Sequence, residues 1–169
     1  MYIRDMFKKN TTLEELCCYT SGAPMPTKAK LLIADGLEQN STLKRLLLDD
    51  CKGIPAEPEV YIAFHSCLER AGNKSALQTL EIGPIDHDPN IKQWANTLRK
   101  CENLVNLGAN SDRLRHNPEY MFWLNLNLSN ARKIAREGKV DKFQALLAKT
   151  VKEGKDDMSY YLIRNNVDY

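Results

Sequence analysis

Residues 40–48 read N-S-T-L-K-R-L-L-L, and residues 10–18 read N-T-T-L-E-E-L-C-C, the same pattern with a few substitutions. A third copy, A-L-Q-T-L-E-I, ends at Ile82, and a weaker fourth, L-V-N-L-G-A, ends at Ala109. The leading leucines of the four copies are 30, 34 and 27 residues apart. Self-similarity at a period of this size indicates a chain built from stacked supersecondary units.

A helical pattern precedes each copy, because apolar residues recur there as on one face of a short helix. Two dipeptides, Asp88-Pro89 and Asn117-Pro118, predict helix starts, with a side-chain acceptor at the cap and proline in the first turn. Leucines that alternate along a strand point to one face of the sheet. The predicted unit is a helix, a tight turn, a short strand and a loop. The apolar residues of the helices are Ile3, Met6 and Phe7, then Ile33 and Leu37, then Ile62, Cys67 and Leu68, then Ile91, Trp94 and Leu98.

This pattern resembles leucine-rich repeats of the ribonuclease-inhibitor type. The resemblance implies an α/β fold, a short horseshoe-shaped solenoid of parallel strands with outer helices. It covers residues 1–112 as an array of about four repeats. Residues 113–169 depart from the pattern and are interpreted as a helical C-terminal cap. That segment is similar to the one that closes such arrays in some algal proteins, on the strength of Leu124-Asn125 and Tyr160-Tyr161-Leu162-Ile163-Arg164.

Residues between the inward leucines are predicted to form columns across the concave strand face. The columns are Glu15, Arg45, Thr79 and Asn106; Cys17, Leu47, Glu81 and Gly108; and Tyr19, Asp49, Gly83 and Asn110. Stacked units make such a face an extended binding surface, and tyrosine and arginine are enriched at the centres of interfaces. We therefore expect a non-enzymatic interaction scaffold that binds a protein partner through Tyr19, Arg45, Leu47, Asp49 and Glu81.

The N-terminal unit is predicted to expose a second surface. The strand Leu13–Tyr19 would have an unpaired edge, and Met6 and Phe7 of the first helix would have no preceding unit to pack against. We expect this end to dock on a partner subunit or on a second copy of the chain, with Phe7 in the contact. A truncated parent chain would leave the same edge.

Composition excludes several classes of function. The net charge of +2 favours neither nucleic acid nor an anionic membrane, and no apolar run approaches the roughly 20 residues of a bilayer-spanning helix. Five cysteines without C-x-x-C spacing suit reduced thiols in the cytoplasm or nucleus, and predict no zinc site. We expect no tightly bound metal or cofactor, and no enzymatic activity.

Two alternatives stay open. Asp86-His87-Asp88 is the one cluster of acid–base residue types, and an enzyme could use it. Its competing interpretation is a polar loop in which Asp88 caps a helix. The segment from Arg132 to Lys155 is rich in basic residues, among them Lys133, Arg136 and Lys139, and a nucleic-acid binder could use those helices.

Overall fold

Helices and strands alternate along the first two thirds of the chain, and the last third is helical. The computed structural model describes residues 2–19, 24–49, 55–107, 112–130, 132–133, 140–156 and 159–160. The strands are β1 (Glu15–Tyr19), β2 (Arg45–Asp49) and β3 (Thr79–Glu81). The helices are α1 (Tyr2–Lys9), α2 (Thr27–Leu37), α3 (Pro58–Ala71), α4 (Gln93–Lys100), α5 (Asp112–Arg115), α6 (Pro118–Leu128) and α7 (Val140–Lys152). Single 3₁₀ turns span Gly72–Lys74 and Ile85–His87.

The three strands form one parallel sheet in the order β1-β2-β3. Glu15 is the register partner of Arg45, and Arg45 in turn is the partner of Thr79. An isolated bridge joins Thr79 to Asn106, so the first predicted column is confirmed. Leu46 lies opposite Leu80, and both side chains are fully buried. The leucine pattern therefore gave the strand register correctly.

The prediction of a leucine-rich-repeat solenoid is wrong. The described residues contain seven α-helices and three short parallel strands in one open sheet, which is not a solenoid of strands with outer helices. Up to Leu107, where the described part of the fourth copy ends, that copy adds one bridge to the sheet, at Asn106. From Asp112 onward the described residues form helices and turns alone.

One continuous apolar core lies against one face of the sheet. Each of the first four helices contributes a large buried side chain to it: Phe7, Ile33, Phe64 and Trp94. The sheet contributes the inward leucines of β2 and β3, and α6 joins the same core through Trp123 and Leu126. Because all these helices cover one face, residues at the alternate strand positions point to the opposite face.

The repeated asparagine explains the start of each pattern copy. Asn10 Oδ1 accepts hydrogen bonds from the backbone N–H groups of Thr12 (3.0 Å) and Leu13 (2.6 Å). Asn40 Oδ1 accepts from Thr42 (3.0 Å) and Leu43 (2.8 Å) in the same way. Each asparagine therefore closes the turn that leads into a strand.

Asn40 also ties its unit to the preceding one. Its Nδ2 donates to the carbonyl oxygens of Phe7 (2.7 Å) and Asn10 (3.1 Å), at the C-terminal end of α1. Carbonyl groups in the last turn of a helix have no partner within the helix, and the buried amide of Asn40 supplies one. The contact fixes how α1 and β1 stack on α2 and β2.

An asparagine on α6 closes the other side of these layers. Asn127 Nδ2 donates to the carbonyl oxygens of Leu98 (3.1 Å), Cys101 (3.0 Å) and Leu104 (3.0 Å). The predicted helix start at Asn117-Pro118 is confirmed, since α6 begins at Pro118 and Asn117 Oδ1 accepts from Tyr120 N–H (3.1 Å). Helix α6 therefore covers α4 and the turn that follows it.

Two buried thiols, on α3 and just after α4, contact the backbone of α3. Cys101 Sγ donates to the carbonyl oxygen of Leu68 (3.0 Å), and Cys67 Sγ donates to that of Phe64 (3.3 Å). Burial raises the pKa of both thiols above the ordinary value of 9.0, and that of Cys101 to about 12. The thiols therefore stay protonated in the folded chain at a pH where they ionise in the unfolded chain.

We expect the free energy of unfolding to fall as the pH rises from about 9 to about 12. An acid with a raised folded-state pKa contributes stability that is complete below its unfolded pKa and is lost above it. The slope contributed by each thiol approaches about 1.4 kcal/mol per pH unit in this window. Urea unfolding of the wild-type chain and of Cys101→Ala at several pH values measures the effect. Equal slopes for the two proteins would contradict the assignment to Cys101.

Candidate functional site

The face of the sheet opposite the core carries an exposed mixture of charged and aromatic side chains. Glu15 on β1 and Arg45 on β2 are register partners, and Arg45 Nη1 lies 3.1 Å from Glu15 Oε2. Both side chains remain about half exposed. At the end of β1, Tyr19 is 62% exposed, and Cys17 between Glu15 and Tyr19 is also exposed.

A second ion pair flanks this face just before the strands begin. Lys44 Nζ lies 2.7 Å from Glu14 Oε1, and both side chains are exposed to a similar degree as the first pair. Exposed pairs of this kind each contribute about 0.2–1 kcal/mol to stability. The main stabilisation of the sheet comes from the buried leucines, so the charged groups can exchange one partner for another at little cost.

The predicted partner-binding residues of the sheet are brought together, but they are not equally accessible. Tyr19 and Arg45 are exposed, whereas the side chain of Leu47 is buried, with 8% of its surface accessible. Glu81 is half-buried, and Asp49 is the register partner of Tyr19. Gly108 and Asn110, which were predicted to extend the columns, lie outside the described residues. Tyr19 and Arg45 therefore supply most of the accessible surface.

Phe7, which was predicted to have no unit to pack against and to contact a partner, is buried within the chain. Phe7 is 1% exposed because it packs into the core against α2. A Cβ atom placed on Gly36 would lie 2.6 Å from the Cβ of Phe7, so the glycine is what lets the two helices approach this closely. The exposed apolar residues of α1 are instead Tyr2, Ile3 and Met6.

A buried polar network joins α3, the loop after β3, and α4. His65 Nε2 lies 2.8 Å from Asp88 Oδ2, and Trp94 Nε1 donates to the same oxygen at 2.8 Å. His65 Nδ1 lies 3.0 Å from Thr97 Oγ1, and the remaining carboxylate oxygen accepts from Asn90 N–H at 2.7 Å. Both ring nitrogens of His65 are therefore engaged, and Thr97 Oγ1 also donates to the carbonyl oxygen of Gln93 at 3.2 Å.

This network is structural and was not predicted as a unit. His65, Asp88, Trp94 and Thr97 are all at most 1% exposed, so no substrate reaches them. The sequence contained one signal, an aspartate followed by proline, but the predicted helix start at Asp88-Pro89 is wrong. Helix α4 begins at Gln93, and the carboxylate of Asp88 turns inward instead of capping it.

The same geometry separates the members of the Asp86-His87-Asp88 loop. Asp88 is buried and engaged, His87 is exposed, and the carbonyl oxygen of Asp86 accepts a hydrogen bond from Arg113 Nη1 at 2.5 Å. The side chains of His87 and Asp88 therefore lie in different environments, one exposed and one buried. Within the described ranges, no three histidine, cysteine, aspartate or glutamate side chains form a group that could hold a metal ion.

Some basic residues of the C-terminal third are engaged in contacts, whereas Lys133 and Lys152 are exposed. Arg132 lies 3.2 Å from Glu102 and 5.3 Å from the ring centre of Trp123. Lys149 and Lys155 both pair with Glu153. Two of the predicted basic residues, Arg136 and Lys139, lie outside the described residues. So do residues 161–169, which include most of the predicted cap signature.

A cleft of about 400 Å³ lies between α6 and the turn after α7. Met121 and Phe122 form its apolar wall, and Lys155 and Asp156 form the charged one. The cleft is remote from the sheet face and shares no residue with it.

Comparison with protein-family models, with curated proteins and with solved structures gives no match to this chain. The resemblance to leucine-rich repeats is therefore neither supported nor refuted by a relative. Among the helices that the structure describes, none combines the length and the apolar character required to cross a bilayer.

Proposed function

We propose that this chain is a non-enzymatic protein-interaction module that binds a partner protein through the exposed sheet face. The observation that supports this proposal is the position of Tyr19 and Arg45. Both are exposed on neighbouring strands whose opposite face is fully packed against helices. A cytoplasmic or nuclear location accords with the free thiols at Cys17, Cys18, Cys67 and Cys101.

The physical case rests on rigidity and residue type. Side chains held on a packed sheet lose less freedom on binding than side chains on a loop, so more of the contact energy appears as affinity. Tyrosine and arginine contribute disproportionately at interface centres. Arg45 already pairs with Glu15 in an exposed ion pair, so an acidic or aromatic group of a partner can replace that contact.

The experiment is a quantitative capture of partners by the wild-type chain and by Tyr19→Ala and Arg45→Glu. Arg99→Glu is the matched control, because Arg99 is an exposed arginine on α4, away from the sheet face. We expect proteins retained by the wild type and by the control to lose at least about tenfold in affinity for both sheet-face variants. If both variants retain the same proteins with unchanged affinity, the sheet face is not the binding surface.

The alternative function to be tested is nucleic-acid binding. Contacts with phosphates release counterions, so affinity falls steeply and linearly on a log–log plot against salt concentration. A steep slope for the full chain, unaffected by Arg45→Glu, would move the function to the basic C-terminal helices.

A further inference from the structure

The two ends of the layered region differ. On one side, α6 packs on α4, and Asn127 occupies the carbonyl groups at the end of that layer. On the other side, β1 is the edge of the sheet, and no further strand among the described residues pairs with it. We call the surface formed by α1, the turn at Asn10 and the free edge of β1 the open end.

The open end carries an asparagine amide, that of Asn10, whose counterpart in the next unit donates hydrogen bonds to the unit stacked on it. Asn10 and Asn40 make the same turn through Oδ1, but Asn40 Nδ2 also donates to two carbonyl oxygens of the unit stacked on it. Asn10 Nδ2 has no hydrogen-bond partner among the described residues. Thr42 Oγ1 similarly lies within reach of the carbonyl oxygens of Asn10 (3.3 Å) and Leu13 (3.4 Å), whereas Thr12 Oγ1 lies near only its own turn.

The backbone of β1 offers a matching row of donors and acceptors. The carbonyl oxygen of Glu14 accepts from Lys44 and Arg45, so the even-numbered residues of β1 face β2. Backbone groups alternate along a strand, and the N–H and C=O groups of Glu15, Cys17 and Tyr19 therefore point away from the sheet. Such an edge is a template for another strand.

The apolar surface shows the same difference between units. Ile33 on α2 is 3% exposed beneath α1, while Ile3, at the corresponding position of α1, is 38% exposed. The apolar residues of the two strands differ in burial in the same way. Leu43, Leu46 and Leu48 are buried, whereas Leu13, Leu16 and Cys18 are only partly buried.

We propose that the open end docks a helix-and-strand segment of a separate polypeptide, stacked as α1 and β1 stack on α2 and β2. The segment's strand pairs in parallel with β1, and the last carbonyl groups of its helix accept from Asn10 Nδ2. Met6 of α1 occupies the position that corresponds to Gly36 of α2, which contacts Phe7. Because methionine is larger than glycine, the docked helix carries a small residue at the position that corresponds to Phe7. This inference rests on the proposed function only in assigning a protein partner, since it concerns a different surface.

A second copy of the chain does not offer this segment at its other end, where α6 covers the last layer. A copy could present only its own open end, which would bring β1 against β1 in an antiparallel pair centred on Cys17. That arrangement leaves the amide of Asn10 unused. The observations therefore favour a helix-and-strand segment from outside residues 1–169.

The probe is a peptide of residues 1–19 of this chain with Phe7→Ala, which supplies a helix, a strand and a small residue opposite Met6. It is added to the full chain, and amide hydrogen exchange is followed residue by residue. We expect exchange at Glu15, Cys17 and Tyr19 to slow at least about tenfold, since their N–H groups gain strand partners.

Asn10→Asp provides the decisive variant, because it keeps the Oδ1 acceptor and removes only the amide donor. We expect it to leave the melting temperature of the chain unchanged and to weaken the peptide affinity at least about tenfold. Asn40→Asp is its matched control, and it lowers the melting temperature because the donated bonds to Phe7 and Asn10 are lost. Ile3→Gln changes an exposed apolar side chain of α1, and we expect it to weaken the affinity for the peptide as well.

A covalently linked form of the probe tests the proposal even if the free peptide does not fold. An extra copy of residues 2–31 with Phe7→Ala, placed directly before Tyr2, presents the same segment at high effective concentration. Unprotected edge amides in both formats, or equal affinity of the wild type and Asn10→Asp, would overturn the proposal. So would a dimer in sedimentation whose chains crosslink through Cys17. If Arg45→Glu abolishes partner capture while Asn10→Asp has no effect, the proposed function stands and this inference fails.

Discussion

Replacing Asp88 with alanine should lower the free energy of unfolding by about 3–5 kcal/mol, as expected when one partner of a buried, hydrogen-bonded polar pair is removed. The substitution leaves His65 Nε2, Trp94 Nε1 and the N–H of Asn90 without their acceptor. The donors of His65 and Trp94 are buried in the packed layer between α3 and α4, where water cannot replace the carboxylate without opening the core. Urea unfolding, followed by the fluorescence of Trp94 and Trp123, measures the loss.

His87→Ala is the control for this measurement. His87 is the exposed neighbour of Asp88, and its removal should change stability by no more than about 0.5 kcal/mol. A loss for Asp88→Ala no larger than this control would show that the network contributes nothing to folding. The same pair separates a structural role from a catalytic one, because a catalytic loop would require His87.

Leu46→Ala should cost about 2–5 kcal/mol as a cavity in the centre of the sheet. Leu46 is fully buried on the middle strand and lies beside Leu16 on one side and Leu80 on the other. Rigid strand backbones on both sides prevent the site from collapsing, so the cost falls toward the upper part of the range.

Leu128→Ala is the matched control, since the same side chain is 55% exposed at the end of α6. We expect that variant to stay within about 0.5 kcal/mol of the wild type. Comparable losses for the two leucine variants would contradict the strand register, because the register places Leu46 in the core.

The parts of the fold that local patterns control were predictable. Alternating leucines indicated which strand positions face the core, and Asn117-Pro118 indicated the start of α6, because alternation and helix capping depend on neighbouring residues only. The architecture was not predictable in the same way. Four similar copies suggested a regular array, but Asn106 makes only one bridge, and the number of strands depends on packing that no single copy encodes.

The candidate site was predictable in position more than in accessibility. The columns placed Tyr19 and Arg45 on the outer face correctly, since alternation is a property of any strand. Phe7 was misplaced because its burial depends on Gly36, which is distant in sequence and contacts it only after folding. His65 and Thr97 were missed for a similar reason. His65 contacts Asp88 and Thr97, and both of these residues lie on other elements that are distant in sequence.

Phe7 and Gly36 consequently form an epistatic pair. Glycine inside a helix costs about 1 kcal/mol relative to alanine, and burying a phenylalanine side chain stabilises by about 1.5–3 kcal/mol, so the arrangement is favourable only when both residues are present. A methyl group at position 36 is tolerable only with a smaller residue at position 7, and the two substitutions are not additive. Descendants of this sequence can therefore change α1 and α2 together more readily than either helix alone.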